Sequence, residues 1–168
     1  MPPGEISSLN ALHALKIAQR RLRPEVRNKV LSISSARTGP DLAPDAWRFV
    51  FLDPGTSGHC RVVTVAAKTS SEHPDTVEAF SSARPENDAD LHPIPQNKLL
   101  VNSDQALEKI RGTSKLKGLH AAEYRLIQTK GYPESTWMIQ LFSDGPGPVA
   151  RFRVGAKTGK VEQLPPGK

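Results

Sequence analysis

The sequence predicts an α+β fold made of two tandem units, each one helix packed on a small antiparallel sheet. Three observations carry this. One stretch occurs twice. Trp47, Arg48, Phe49, Val50, Phe51 and Leu52, a Gly/Pro loop, and a return strand through Val65, Ala67, Lys68 and Thr69 are matched by a second set. That set is Trp137, Met138, Ile139, Gln140 and Leu141, another Gly/Pro loop, then Val154, Ala156, Lys157 and Thr158. Within each copy, apolar residues alternate with the period of two that places them on one sheet face. Ahead of each copy, apolar residues recur at helical spacing. The first unit is assigned to 7–80, a linker to 81–98 and the second unit to 99–164.

Ser7 or Ser8 is placed to cap the first helix, whose stripe is Leu9, Leu12, Leu15, Ala18 and Leu22. Lys16, Arg20, Arg23 and Arg27 run down another face. Pro24 ends or kinks the helix, because the residue before proline disfavours the α region. Val30 to Ser34 reads as a first strand and 38–45 as loop. The Trp47 strand sets Trp47, Phe49 and Phe51 against Arg48, Val50 and Leu52. Residues 53–58 turn the chain, and Cys60 to Ala66 returns as the partner of a hairpin. The stretch 69–98 is rich in Ser, Pro, Asp and Glu and reads mostly as a solvated excursion. Thr76 to Phe80 is its ordered piece, since it resembles Lys160 to Leu164 after the second copy. In the second unit Ser103 caps, Asp104 complements the helix dipole, and Ala106, Leu107 and Ile110 are buried in a helix that Gly112 closes. A strand follows, with Tyr124, Leu126 and Gln128 alternating against Arg125 and Ile127. After the turn at Gly131, Tyr132 and Pro133 come the Trp137 strand, its loop and the strand through Val149 to Val154. The expected core anchors are Trp47, Phe49, Trp137, Ile139 and Val154.

The totals bound the reading. The chain has 168 residues, 37% of them hydrophobic, so two modest units gain by packing on each other. Its net charge of +6 raises the odds of an acidic partner, while a solvated cationic surface is the plain account. A single cysteine, Cys60, allows no intrachain disulfide and leaves the compartment open. No apolar run reaches the roughly 18 residues of a membrane span. Met1, Pro2, Pro3, Gly4 and Glu5 do not form a signal peptide as they stand. The same Pro-rich opening also fits a chain that begins just past a removed signal, and both readings stay open.

The arrangement of helix, strand, Trp strand, polar turn and a strand ending Val154, Gly155, Ala156, Lys157, Thr158, Gly159, Lys160, Val161 resembles the PepSY domain. Gly155 stands where that family often has aspartate. In the first copy Ala66 stands there and Ser70 replaces the glycine. The resemblance covers about four-fifths of the chain as two copies. It implies a cystatin-like sheet-and-helix form and a role in binding and restraining a peptidase, or in sensing at the bacterial cell envelope. It implies a periplasmic or secreted setting if a signal peptide was removed ahead of Met1, with the setting otherwise open, and it brings no catalytic residue with it. The pair Thr158 and Gly159 has a structural account, because glycine takes positive φ where the chain leaves the strand.

The residues themselves offer no catalytic set. His59 and Cys60 are adjacent in a strand and point to opposite faces, so the imidazole is badly placed to activate the thiol. His13, His59, His73, His92 and His120 show no metal-ligand spacing, and no metal or cofactor is expected. The Gly/Pro loops lack the lysine and following helix of a phosphate-binding loop. Asp41, Asp45 and Asp53 read as turn residues.

One surface remains. Met138, Gln140 and Phe142 form the outward set of the Trp137 strand, with Arg151 and Arg153 opposite them, and Val50, Leu52 and Val62 pose the same question in the first unit. Packing of one unit on the other is the plain account, and partner binding through Met138, Gln140, Phe142, Arg151 and Arg153 is the sharper one. The expected function is a non-enzymatic protein-binding module, with peptidase inhibition or regulation as the implied role. The alternative is a basic nucleic-acid-associated protein, which would show a steep salt response.

Overall fold

The computed structural model describes residues 10–53, 60–66, 75–81, 91–113 and 117–165, with 75–81 and 91 described by backbone alone. The caps at Ser7 and Ser8, Leu9, most of the turn at 53–58, His59, the run from Ala67 to Thr69, and His73 lie outside the described residues. So does the stretch 82–90, expected from its composition to be solvated.

Helix α1 (Ala11–Gln19) begins at Asn10, whose Oδ1 accepts the N–H of His13 at 2.9 Å. Arg23 is extended at φ −64 and ψ 149, as the residue before a proline should be, and Pro24 opens the short helix α2 (Pro24–Arg27). Strands β1 (Val30–Ser35), β2 (Ala46–Leu52), β3 (Cys60–Ala66) and β4 (Asp75–Ser81) follow as an antiparallel meander. Helix α3 (Ser103–Thr113) leads a second meander of β6 (Ala121–Thr129), β7 (Thr136–Phe142), β8 (Pro148–Gly155) and β9 (Val161–Leu164). Each half thus has a long helix followed by four strands in the expected order, and the first half adds the short α2.

The halves do not stack face on face. They join edge to edge, because β1 pairs antiparallel with β6, and the sheet runs β4-β3-β2-β1-β6-β7-β8-β9. Ile33 beside Phe49 in the first half holds the place of Tyr124 beside Ile139 in the second. By the same correspondence Ser34 and Arg125 are equivalent, and they are each other's partners across the β1–β6 ladder. An approximate two-fold axis therefore passes through this pair, normal to the sheet. Face-to-face packing of the units, the plain account of the second sheet face, is replaced by this edge pairing.

The assigned linker is in part built into the sheet. Strand β5 (Leu91–His92) pairs with β6, Ile94 is buried, and its N–H donates to the Val30 carbonyl at 2.8 Å.

Both helices lie on the same sheet face, over a single core cluster rather than two. Trp47, Phe49, Trp137, Ile139 and Val154 are all buried in it, as expected. The two tryptophan rings meet edge-on with centroids 5.9 Å apart, and Tyr124 joins them at 5.7 Å from Trp47. The Trp137 indole N–H donates to the Val101 carbonyl at 2.9 Å, which satisfies its one polar atom.

Two local expectations are corrected. Ser103 does not cap its own helix. Asn102 sits at that N-cap, with the Gln105 side chain accepting the Asn102 N–H at 2.8 Å, while the Ser103 hydroxyl accepts the N–H of Ala11 in the other half at 3.1 Å. Gly112 does not close α3, which continues to Thr113.

Candidate functional site

The second sheet face, opposite the helices, is not uniform. In the first half Leu31, Val50, Cys60 and Val62 form a small buried cluster with Leu52 against it. This accounts for Val50, Leu52 and Val62 by packing within the sheet. Cys60 is a buried strand residue of that cluster. In the second half the same face is half-exposed and polar, carrying Met138, Gln140, Arg151 and Arg153.

Ladder geometry brings four of the five expected surface residues together. Met138 is the cross-strand partner of Arg153, and Gln140 of Arg151. Phe142 takes another role. It is only 2% exposed, and the Arg37 guanidinium lies 3.8 Å above its ring. Arg37 in turn donates to Glu123 at 3.3 Å. Phe142 therefore supports the surface from beneath.

Three further residues belong to this face. Arg125 is the partner of Met138 on its other side, Arg48 lies across Ser34 from Arg125, and Glu123 faces Gln140. The signal for Arg48 and Arg125 was their alternation against Trp47, Phe49, Tyr124 and Leu126. Placing both beside Met138 requires the β1–β6 junction, which neither repeat contains. Arg153 pairs with Glu162 at 3.3 Å and lies 4.9 Å from the Tyr132 ring centroid. Among the described residues Arg48, Arg125 and Arg151 take part in no ion pair. Unpaired guanidiniums around a half-buried thioether form a surface suited to an anionic, partly apolar partner, because arginine stems shield the methionine while the heads stay wet.

Compared with known protein families, curated proteins and solved structures, the chain matches none.

A cleft of about 800 Å³ on the helix side is the competing site. It lies between α3 and the loop through Leu42. Its charges offset one another, Asp41, Asp104 and Glu108 against Lys109, Arg111 and Lys157. Its most buried polar group is already bonded, since the Tyr124 hydroxyl donates to the Leu42 carbonyl at 2.7 Å. Burial pushes that phenol up from its ordinary range, so it stays protonated and keeps the bond. Leu42 is held at φ 61, left-handed for a non-glycine residue, with its carbonyl aimed at the tyrosine. The cleft thus has a structural account.

The remaining charged groups are built into the scaffold. Asp53, expected in a turn, is 1% exposed and bound by Arg23 at 3.0 Å and Arg61 at 3.4 Å. This ties α2 to the β2–β3 hairpin and takes Arg23 out of the basic helical stripe. Arg27 donates to the Leu22 carbonyl at 2.7 Å, so the stripe is no continuous patch. Glu134 accepts the N–H groups of Lys157 and Thr158, at 2.9 and 3.0 Å, and the Thr158 hydroxyl at 2.8 Å. His120 lies 3.0 Å from Asp144 at the rim. Among the described residues no group of three or more His, Cys, Asp or Glu stands together as a metal-holding set, and no helix is long and apolar enough to cross a membrane.

Proposed function

We propose that this chain is a non-catalytic binding module that takes a protein partner on the second face of its sheet. The observation that carries the reading is the cluster in the second half. Arg125 and Arg151, without ion pairs, border Met138 and Gln140 on a face that the helices do not cover. Arginine and methionine are the residue types enriched where interfaces are most buried. The scaffold beneath is one continuous antiparallel sheet, which fixes the spacing of these side chains and loses little order on binding.

Restraint of a peptidase at the cell envelope is the more specific form of the proposal, and it draws on the PepSY resemblance alone. It is tested by titrating the chain against thermolysin-like metallopeptidases, following residual peptidase activity and the integrity of the chain together. Stoichiometric inhibition by intact chain, lost in Met138→Glu, supports it. Absence of inhibition, or digestion of the chain, removes the peptidase role and leaves the partner class to the face itself.

Nucleic acid is the second reading, favoured by the same unpaired arginines. It predicts affinity for oligonucleotides that falls steeply with salt, by orders of magnitude over a few-fold rise in concentration. Against it, Phe142, the aromatic residue of β7 on this face, is buried under Arg37 and offers no base a stacking surface, and the exposed Tyr132 ring stands at the edge beside Arg153 rather than among the unpaired arginines.

A further inference from the structure

The cross-strand registers place seven residues in one line across the second face. Thr64, Arg48, Ser34, Arg125, Met138, Arg153 and Glu162 are each the partner of the next. Three arginines in this line are separated by two strands each, with Ser34 and then Met138 between them. Neighbouring strands lie about 4.8 Å apart, so the arginines recur at roughly 10 Å. A peptide in the extended polyproline II conformation advances about 3.1 Å per residue with three residues per turn, so every third side chain returns to the same face after roughly the same distance. The match sets a register.

Resting on the protein-partner reading above, we infer that the partner presents an acidic peptide segment, extended across the strands, with a carboxylate at every third residue. Arg48 and Arg125, which make no ion pair, receive two of the carboxylates, and Arg153, paired with Glu162 at 3.3 Å, receives the third through the N–H groups that this pair leaves. The residues between them meet Ser34 and Met138, so an apolar side chain belongs opposite Met138. The right-handed twist of the sheet turns the line gradually, and the long arginine stems absorb that rotation. The charge pattern favours a discrete acidic peptide over a uniform phosphate backbone. Glu162, paired with Arg153, closes the line at one end, and Glu123, paired with Arg37, stands beside it, so the positive stripe that a continuing polyanion needs is interrupted at both places.

The test uses the full chain and fluorescence anisotropy at low salt. One labelled peptide carries aspartate at every third position with leucine and serine between. A second has the same composition with its aspartates contiguous. A third probe is oligothymidylate of equal charge. The spaced peptide is expected to bind at least about fivefold more tightly than the contiguous one. Arg48→Gln and Arg125→Gln should each weaken it about fivefold, the scale of one exposed ion pair, with melting temperatures unchanged. Arg20→Gln, at the C-cap of α1 on the other side of the sheet from this line, should not weaken it.

Equal affinity for both peptides, tighter binding of the oligonucleotide, or no peptide binding would each overturn the inference. If the two peptides bind equally and Arg125→Gln weakens both, the register falls and the binding face stands. If neither Arg125→Gln nor Met138→Glu changes the binding of any probe, the inference and the reading it rests on both fall.

Discussion

Glu134 shows how one side chain sets the shape of a turn from a distance. Its carboxylate accepts two backbone N–H groups and a hydroxyl from the turn between β8 and β9. Burial opposes its ionisation, but the bonds from Thr158 and Lys157 outweigh burial, and its pKa is lowered. Its contribution to stability is therefore complete above the ordinary glutamate value of 4.5 and is lost as pH falls through the lower folded value. Glu134→Gln should flatten the acid limb of a stability-against-pH curve measured by chemical denaturation. An unchanged limb would show that the carboxylate charge is idle. The same geometry explains Gly155. A Cβ built there would collide with the Glu134 carboxylate and the Thr158 hydroxyl. The aspartate that PepSY-like turns often carry at this place would reach the N–H groups of residues two and three ahead, the bonds that Glu134 makes here from the neighbouring strand. Gly155→Asp alone should destabilise, by about 1–3 kcal/mol as overpacking does. Gly155→Asp combined with Glu134→Ala should recover most of that loss. Purely additive losses in thermal melts would refute the exchange. The sequence showed glycine at 155, where the PepSY resemblance leads one to expect aspartate, but not what fills that place. Glu134 reads locally as one more polar residue after Gly131, Tyr132 and Pro133, and its partners become its neighbours only when β7 and β8 pair.

Helix α1 is closed by the start of helix α3. The Ala11 N–H donates to the Ser103 hydroxyl, and the Leu12 N–H to the Asn102 side-chain oxygen at 3.2 Å. Two N–H groups of the first turn thus find their acceptors in the other half of the molecule, beside the His13 N–H that Asn10 accepts. Ser103→Ala should cost about 1–2 kcal/mol, the scale of a lost cap, although Ser103 is not the N-cap of its own helix. Amide exchange should separate this from a local effect. The amides of Ala11 and Leu12 should exchange faster in the variant, while those of Leu107 and Ile110 keep their protection. Faster exchange confined to α3 would contradict the assignment. At this scale the sequence was informative about existence and type. The stripe of Leu12, Leu15 and Ala18, the period of two around Trp47 and Trp137, and the short strand after Lys160 all appear as elements, although α1 stops at Gln19 and leaves Leu22, expected in the same helix, beyond its end. It was weaker on ends and partners. Serine before an apolar stripe is a cap signal, and Ser103 does cap a helix, but its partner is set by tertiary approach, which no local pattern encodes.

The whole molecule turns on one ladder that the repeat does not contain. Each copy could be read as a self-sufficient unit because each has its own helix, its own meander and its own tryptophan. What joins them is β1 against β6, where Ser34 meets its equivalent Arg125, and the alternation of apolar residues is the same whether a strand is an edge or a centre. The consequence is a shared core. Trp47 and Trp137 touch each other and both touch Tyr124. Denaturant unfolding followed by tryptophan fluorescence and by far-ultraviolet circular dichroism should therefore give one coincident transition. Trp47→Ala and Trp137→Ala should each cost roughly 3–5 kcal/mol. The double variant should lose about 1 kcal/mol less than the sum, because the edge-on ring contact can be lost only once. The piece 99–165 alone should fail to fold cooperatively. It would expose the β6 edge, lose the Trp47 and Ile33 side of its core, and lack both β5 and Ile94. Two resolved transitions, strict additivity of the tryptophan variants, or a cooperatively folded 99–165 would each mean that the halves are separate bodies, and the continuous face from Arg48 to Arg153 would then lose its rigid spacing.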